Sequence, residues 1–168
     1  MGYELIIATF EEDETKAGEF LGRLKKAVKD KVLETDGAAA IVKDKDGKIT
    51  VDEIGDVKGK KGAVFGAISG GIIGLIGGPV GAVIGATAGA AAGGATAKVA
   101  DYGVSDKTIK DIEKGLQPGG SALIAYVESQ WVPRAVARLQ EAGGVVVSEE
   151  LNQTLIDRNM PARPPRES

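Results

Sequence analysis

Apolar and polar positions at the start of the chain follow two different periods. Residues 3–10 form a short apolar run that includes Ile6, Ile7 and Thr9, and this run predicts a strand. From residue 17 to residue 30 apolar side chains recur every three or four positions, which predicts a helix with one apolar face. The acidic residues 11–13 precede this helix and lysines crowd its end, as the helix dipole favours.

The next two apolar runs, 38–42 and 49–54, flank Asp46-Gly47, which is a strong signal for a short β-hairpin. The same stretch imitates a calcium-binding loop, because five residues match loop positions three, five, six, eight and twelve: Asp44, Asp46, Gly47, Ile49 and Glu53. Position one of such a loop is an Asp, whereas Val42 stands here, and the flanks alternate as strands do. We therefore predict a hairpin that binds no calcium.

Regular patterns return after residue 104 and predict four more elements: a helix over 108–116 capped by Ser105, a strand over 121–127, a helix over 132–142 and a strand over 145–148. Glycines at 119–120 and 143–144 end the two helices. Residues 160–168 contain three prolines and no periodicity, so they read as a tail, which we expect to dock on a neighbouring copy of the chain.

Between these two patterned parts lies a segment, residues 62–97, without a single charged side chain. Its glycines recur every fourth position in two ladders: Gly62, Gly66, Gly70 and Gly74, then Gly81, Gly85, Gly89 and Gly93. The sequence Gly77-Gly78-Pro79 between the ladders signals a turn. Four-residue spacing places glycines on one helix face, where two backbones can approach closely. The pattern predicts a helical hairpin that makes close helix–helix contacts.

The order of elements is β-α-β-β, glycine hairpin, α-β-α-β. This order predicts an α+β fold, namely a ferredoxin-like antiparallel sheet with helices on one face, plus an inserted glycine-zipper helical hairpin. The predicted domains are residues 1–57 with 103–150 for the sheet, 58–102 for the hairpin and 151–168 for the tail. We expect the sheet domain to fold without the inserted hairpin, because chains re-enter a domain near where they leave it.

The composition excludes several classes of functional site and partner. The 168 residues include no cysteine and no histidine, which removes disulfides, thiol catalysis, and the most common general base and metal ligand. The net charge of −3 argues against nucleic acid as a partner. The start of the chain lacks a basic region followed by an apolar stretch, so we expect a cytoplasmic protein. We predict that it is not an enzyme and uses no cofactor or metal.

Three separate segments carry a resemblance to a known family. They are Tyr3 to Phe10 with Ala17, the sequence DVKGKKGAVFGAISGGIIG from Asp56, and LQPGGSALIAYVE from Leu116 to Glu128. In order and spacing they resemble a bacterial family of predicted membrane proteins, domain of unknown function 1269, over roughly residues 3–150. The resemblance implies no assigned activity and supplies no catalytic residues. Its membrane label rests largely on the glycine insert.

The glycine ladders give the main functional expectation, which is self-assembly into a homo-oligomer through the hairpin. Four lysines flank the segment and could face anionic lipid at the inner membrane: Lys58, Lys60, Lys61 and Lys98. The stretch from Gly62 to Ile76 would form roughly 22 Å of helix, however, against about 30 Å for a bilayer core. The alternative is a soluble module that binds a small ligand or a partner protein, with the hairpin as a lid.

Other candidate residues have simpler explanations. The acidic run at 11–14 could hold a cation, but such runs usually begin helices. The lysines at 58–61 lack the full phosphate-loop pattern. Trp131, the only tryptophan, fits a core or interface anchor better than a cofactor site. The serines at 121, 129 and 148 have no histidine to activate them.

Overall fold

A computed structural model describes residues 3–32, 35, 37–54, 71–73 and 104–150. Its elements are β1 (Tyr3–Phe10), α1 (Lys16–Lys29), β2 (Gly37–Lys43), β3 (Ile49–Glu53), α2 (Asp106–Gly115), β4 (Gly120–Glu128), a 3₁₀ turn (Ser129–Trp131), α3 (Val132–Glu141) and β5 (Val145–Glu150). The predicted helices and strands in these ranges are confirmed, with ends that differ by at most two residues.

The strands form one five-stranded sheet in the order β3-β2-β4-β1-β5, and every neighbouring pair is antiparallel. The fold is therefore α+β. Helix α1 joins β1 to β2, which lie on either side of β4, and helix α3 joins β4 to β5, which lie on either side of β1. Each connection is thus a βαβ unit split by one antiparallel strand. Because β1 and β4 run in opposite directions, α1 and α3 also return across the sheet in opposite directions.

Apolar side chains cover both faces of the three central strands. On β1, Ile6 and Ala8 point to the face covered by α1 and α3, which we call the α1/α3 face. Leu5 and Ile7 point to the other face, the α2 face, where Ile112 of α2 packs. The expectation of helices on one face only is therefore wrong. Since successive strand residues alternate in direction, an unbroken apolar run must be covered from both sides.

The charge-free segment contributes to the core of the α2 face. Residues 71–73 are helical, and the side chains of Ile72 and Ile73 are fully buried in the same cluster as Leu5, Ile112 and Ile124. Deletion of the segment would expose apolar surface on the sheet, so this packing argues against a sheet domain that folds without it. The rest of the predicted hairpin lies outside the described residues.

The β2–β3 connection is a hairpin, as the sequence predicts. Lys43 pairs with Ile49, and Gly47 adopts a positive φ of 83° in the turn between them. The Asp44 carboxylate accepts hydrogen bonds from the backbone N–H groups of Asp46 (2.9 Å) and Lys48 (2.8 Å). The Asp44 side chain therefore organises its own turn, as Asp commonly does.

A hydrogen-bonded cluster holds the start of α2 against the edge strand β5. The Ser105 hydroxyl caps the helix by accepting from the Thr108 N–H at 3.2 Å. The Glu149 carboxylate accepts from the N–H (3.3 Å) and the hydroxyl (2.5 Å) of Ser105 and from the hydroxyl of Thr108. Partial burial acts to raise the pKa of Glu149, but these hydrogen bonds outweigh it, and the pKa lies below its usual range.

Truncation of the two buried isoleucines tests whether residues 71–73 belong to the core. We expect Ile72→Ala and Ile73→Ala each to lower the free energy of unfolding by about 2–5 kcal/mol, because each leaves a cavity against the sheet. Val145→Ala is the control, since Val145 is 60% exposed and its truncation should cost less than about 0.5 kcal/mol. Urea denaturation measures all three. Near-wild-type stability of both isoleucine variants would contradict the packing.

Replacement of Glu149 by Gln tests the contact between α2 and β5 through its pH dependence. A carboxylate whose pKa is lowered by folding stabilises the protein above its unfolded pKa of about 4.3, and this stabilisation is lost as the pH falls through the folded pKa. We therefore expect Glu149→Gln to lower the stability by about 1 kcal/mol at pH 7, and the difference to shrink below about pH 4. The control is Glu150→Gln, on the neighbouring exposed residue. A pH-independent loss would contradict the role of the charge.

Candidate binding site between helices α1 and α3

A cleft of about 410 Å³ lies between α1 and α3, with the sheet as its floor. The described residues that line it come from β1, α1, the turn after α1, β4, the 3₁₀ turn and α3: Ile6, Phe20, Arg23, Leu24, Ala27, Val32, Leu123, Ala125, Val127, Trp131, Arg134, Ala135, Arg138 and Leu139. This volume is typical of a site for one small molecule.

The floor of the cleft is an apolar strip along β4. Leu123, Ala125 and Val127 are alternate residues, so they point to the same face, and Ile6 of β1 lies directly opposite Ala125. At about 3.3 Å per residue, the strip from residue 123 to residue 127 is roughly 13 Å long. The cleft therefore has an elongated floor without polar side chains among the described lining residues.

The walls of the cleft follow from helical spacing. On α1, Phe20, Leu24 and Ala27 lie four and three positions apart, which places them on one face of the helix. The other wall is formed by Trp131, at the end of the 3₁₀ turn that leads into α3, and by α3 residues that include Ala135 and Arg138. Alanine at positions 27, 125 and 135 leaves space that a larger side chain would fill.

An aromatic stack holds one of the wall residues in place. The rings of Phe10 and Phe20 are nearly parallel, with centroids 5.9 Å apart and an interplanar angle of 8°. Phe10 also meets Gly144, where an added Cβ atom would lie only 2.9 Å from the ring. Glycine at position 144 therefore allows Phe10 to sit against Phe20, and the stack fixes one side of the cleft.

Three exposed arginines stand on the two helical walls. Arg23 belongs to α1, and Arg134 and Arg138 belong to α3. The Arg23 guanidinium lies over the Phe20 ring, 5.2 Å from its centroid, in cation–π geometry. The described lining residues include no Asp or Glu. Glu19, one turn before Arg23, pairs with Lys16 instead at 3.7 Å. The walls thus present positive charge above an apolar floor.

The start of α1, which carries one wall, is fixed by polar contacts to the sheet. Asp13 accepts hydrogen bonds from the hydroxyl (2.8 Å) and the N–H (2.9 Å) of Thr15, and these bonds lower the pKa of its carboxyl group. Buried Ser121 of β4 accepts from the Ala17 N–H at 3.2 Å and donates to the Asp13 carbonyl at 2.6 Å. Asp13 in the acidic run therefore serves the helix start, as predicted, and Ser121 has a structural role.

The sequence-predicted site residues and this cleft overlap at one position. Trp131 lines the cleft and is half-buried, so it is neither a fully buried core residue nor isolated on the surface. All eight ladder glycines and the flanking lysines at 58, 60, 61 and 98 lie outside the described residues, as does the tail after residue 150. The sequence analysis does not single out the three arginines of the cleft. A signal was present, because Arg134 and Arg138 follow Trp131 and are four positions apart, which places them on one face of a helix.

Among the described residues, no helix combines the length and apolar character needed to cross a bilayer. Within the same ranges, no group of three or more acidic side chains is placed to hold a metal ion. The described cleft residues also include no hydroxyl, carboxylate or amine, and Arg keeps its proton in proteins. The groups present can bind and orient a molecule, but they do not form a nucleophile–base pair.

Comparison with protein-family models gives a match over residues 63–158 to the family described as "Protein of unknown function (DUF1269)". The matched range is more than half of the chain. The chain belongs to this family. The resemblance noted from sequence motifs is thereby confirmed for this range. Neither the curated proteins nor the solved structures contain a match.

The range that matches DUF1269 contains only some of the residues that line the cleft. The matched range includes α2, β4, α3 and β5, whereas β1, α1, β2 and β3 precede it. In this DUF1269 protein the α3 wall and most of the floor come from the matched range, while Ile6 and the α1 wall come from the part before it. The candidate site is therefore formed jointly by the two parts of the chain.

Proposed function

We propose that this protein is a non-enzymatic binding module that holds a small, largely apolar molecule in the cleft between α1 and α3. The observation that carries the proposal is the cleft itself, with about 410 Å³ of space above an apolar strip of sheet. Protein interiors are close-packed, and voids of this size between packed elements are commonly binding sites. The described lining has the apolar surface that gives affinity and a few polar groups that give orientation.

The fold supports this proposal because it holds the two walls on a rigid base. We propose a ferredoxin-like topology for β1, α1, β2, β4, α3 and β5, supported by the two split βαβ units. Strand β3 and helix α2 are then additions, and α2 covers the opposite face. The lid role considered for the charge-free segment is not part of the proposal, because Ile72 and Ile73 pack on the α2 face, across the sheet from the cleft.

Binding of a neutral fluorescent probe tests the proposal directly. We expect N-phenylnaphthylamine, whose emission rises in apolar surroundings, to bind the full-length protein with a stoichiometry of one. Trp131 is the only tryptophan and lines the cleft, so its emission should fall as energy transfers to the bound probe. We expect Ala135→Phe and Ala27→Phe, which fill the cleft from opposite walls, each to weaken binding by about tenfold or more.

Ala137→Phe is the matched control, because Ala137 is an exposed residue of α3 that does not line the cleft. This variant should bind the probe as the wild type does. Circular dichroism and thermal melting establish that each variant is folded. Absence of probe binding by the wild type, or equal binding by both cleft variants and the control, would refute the proposed function.

The glycine ladders favour a second candidate function, which is self-association. Residues 62–97 carry no charge, and eight glycines at four-residue spacing cost helix stability at about 1 kcal/mol each relative to alanine. Close contact between helices would offset this cost. In this proposal the segment is a glycine-zipper hairpin of a cytoplasmic homo-oligomer, with lysines at 58, 60, 61 and 98 facing anionic lipid of the inner membrane. Binding in the cleft and self-association are compatible.

Bulky residues in both ladders test self-association. We expect the double variant Gly70→Leu/Gly85→Leu to form a smaller oligomer, seen as a lower molar mass in sedimentation, because the leucines would separate the helix backbones. The control is Ala67→Leu/Ala86→Leu, which adds similar bulk beside the ladders. An unchanged mass of the glycine variant, or a monomeric wild type, in analytical ultracentrifugation would argue against the second candidate.

A further inference from the structure

We infer that the ligand of the α1/α3 cleft is an elongated amphiphile with an anionic head, of the class of medium-chain carboxylates. The inference rests on the proposed function and adds the chemistry of the ligand. It draws on two independent features of the site, namely the shape of the floor and the charge of the walls.

The floor favours an extended apolar chain. The strip formed by Leu123, Ala125 and Val127 is roughly 13 Å long and has Ile6 beside it. Leu24 and Leu139 continue the apolar surface onto the two walls. A free inorganic anion would leave this surface uncovered, whereas an alkyl chain would remove it from water, and each CH₂ group that is buried would add to the affinity.

The walls favour a negative head. Arg23, Arg134 and Arg138 supply three guanidinium groups from two different helices, and the described lining residues include no acidic side chain to neutralise them. No ion pair joins any of the three to a described carboxylate. Guanidinium groups remain charged at all physiological pH values and match the two oxygens of a carboxylate. Because the three are exposed, the head would lie at the solvent side and the chain below it.

Arg23 is positioned for this role by its contact with Phe20. The guanidinium rests above the ring at 5.2 Å, and Phe20 is itself held by the stack with Phe10. Such a contact restricts a long side chain while its N–H groups stay available in the plane of the guanidinium. Part of the entropy lost on binding an anion is thereby lost already on folding.

Competition between two matched ligands tests the inference on the full-length protein. Decanoate and decanol have the same chain length and differ in the head group, and each is titrated against bound N-phenylnaphthylamine while Trp131 emission is followed. We expect decanoate to displace the probe at a concentration about tenfold lower than decanol. Higher salt should weaken the binding of decanoate and leave the binding of decanol nearly unchanged, because salt screens exposed charges.

The double variant Arg134→Gln/Arg138→Gln assigns the difference to the cleft. We expect it to bind decanoate about tenfold more weakly relative to decanol, because decanol carries no charge for the guanidinium groups to bind. The control is Lys110→Gln/Lys114→Gln, which removes the same charge from exposed positions of α2 on the opposite face of the sheet. This control should retain the preference for decanoate.

The possible results separate the two proposals. Probe binding with equal displacement by decanoate and decanol would overturn the anionic head and leave the binding function intact. A preference for decanoate that both double variants lose equally would also overturn it, since the effect would then follow net charge. No binding of the neutral probe or of either ligand would refute the proposed function together with the inference.

Discussion

Strands β1, β2 and β4 carry apolar side chains on both faces of the sheet, so both faces must be covered. On β1 the alternate pairs Leu5 and Ile7, and Ile6 and Ala8, are all buried. Helices α1 and α3 cover one face, and α2 covers the other together with Ile72 and Ile73. The charge-free segment is thus tied to the sheet at residues 71–73, and the anchoring of α2 by Glu149 stabilises the same layer.

The same two-sided sheet explains why a cleft exists. Helices α1 and α3 lie side by side on one face because each belongs to a split βαβ unit. Their facing sides carry Ala27 and Ala135, and the strand beneath them carries Ala125. These small residues leave open a space that larger side chains would fill. The Phe10–Phe20 stack supports one wall of this space. The space is open to solvent at the arginines, which accounts for its amphipathic character.

Local sequence patterns predicted the elements well because each depends on neighbours in the chain. Asp46-Gly47 marked the hairpin, and Ser105 marked the start of α2. The coverage of both faces could have been inferred from the unbroken apolar runs in β1, β2 and β4, which lack the alternation of a one-sided sheet. The cleft was harder to predict from the sequence, because Arg23 and Arg138 line the same space only after strands that are distant in the chain have paired. Arg134 and Arg138 beside Trp131 were the available signal.

Nuclear magnetic resonance of the ¹⁵N-labelled full-length protein during titration with decanoate tests the central claim most directly, because it locates the ligand without a substitution. We expect chemical-shift changes in the Trp131 indole, in the side-chain N–H signals of Arg23, Arg134 and Arg138, and in the amides of β4 beneath them. Signals of α2 and of Ile72 and Ile73, on the opposite face of the sheet, should change little. Shifts concentrated on the α2 face, or the absence of any saturable change, would contradict a ligand site between α1 and α3.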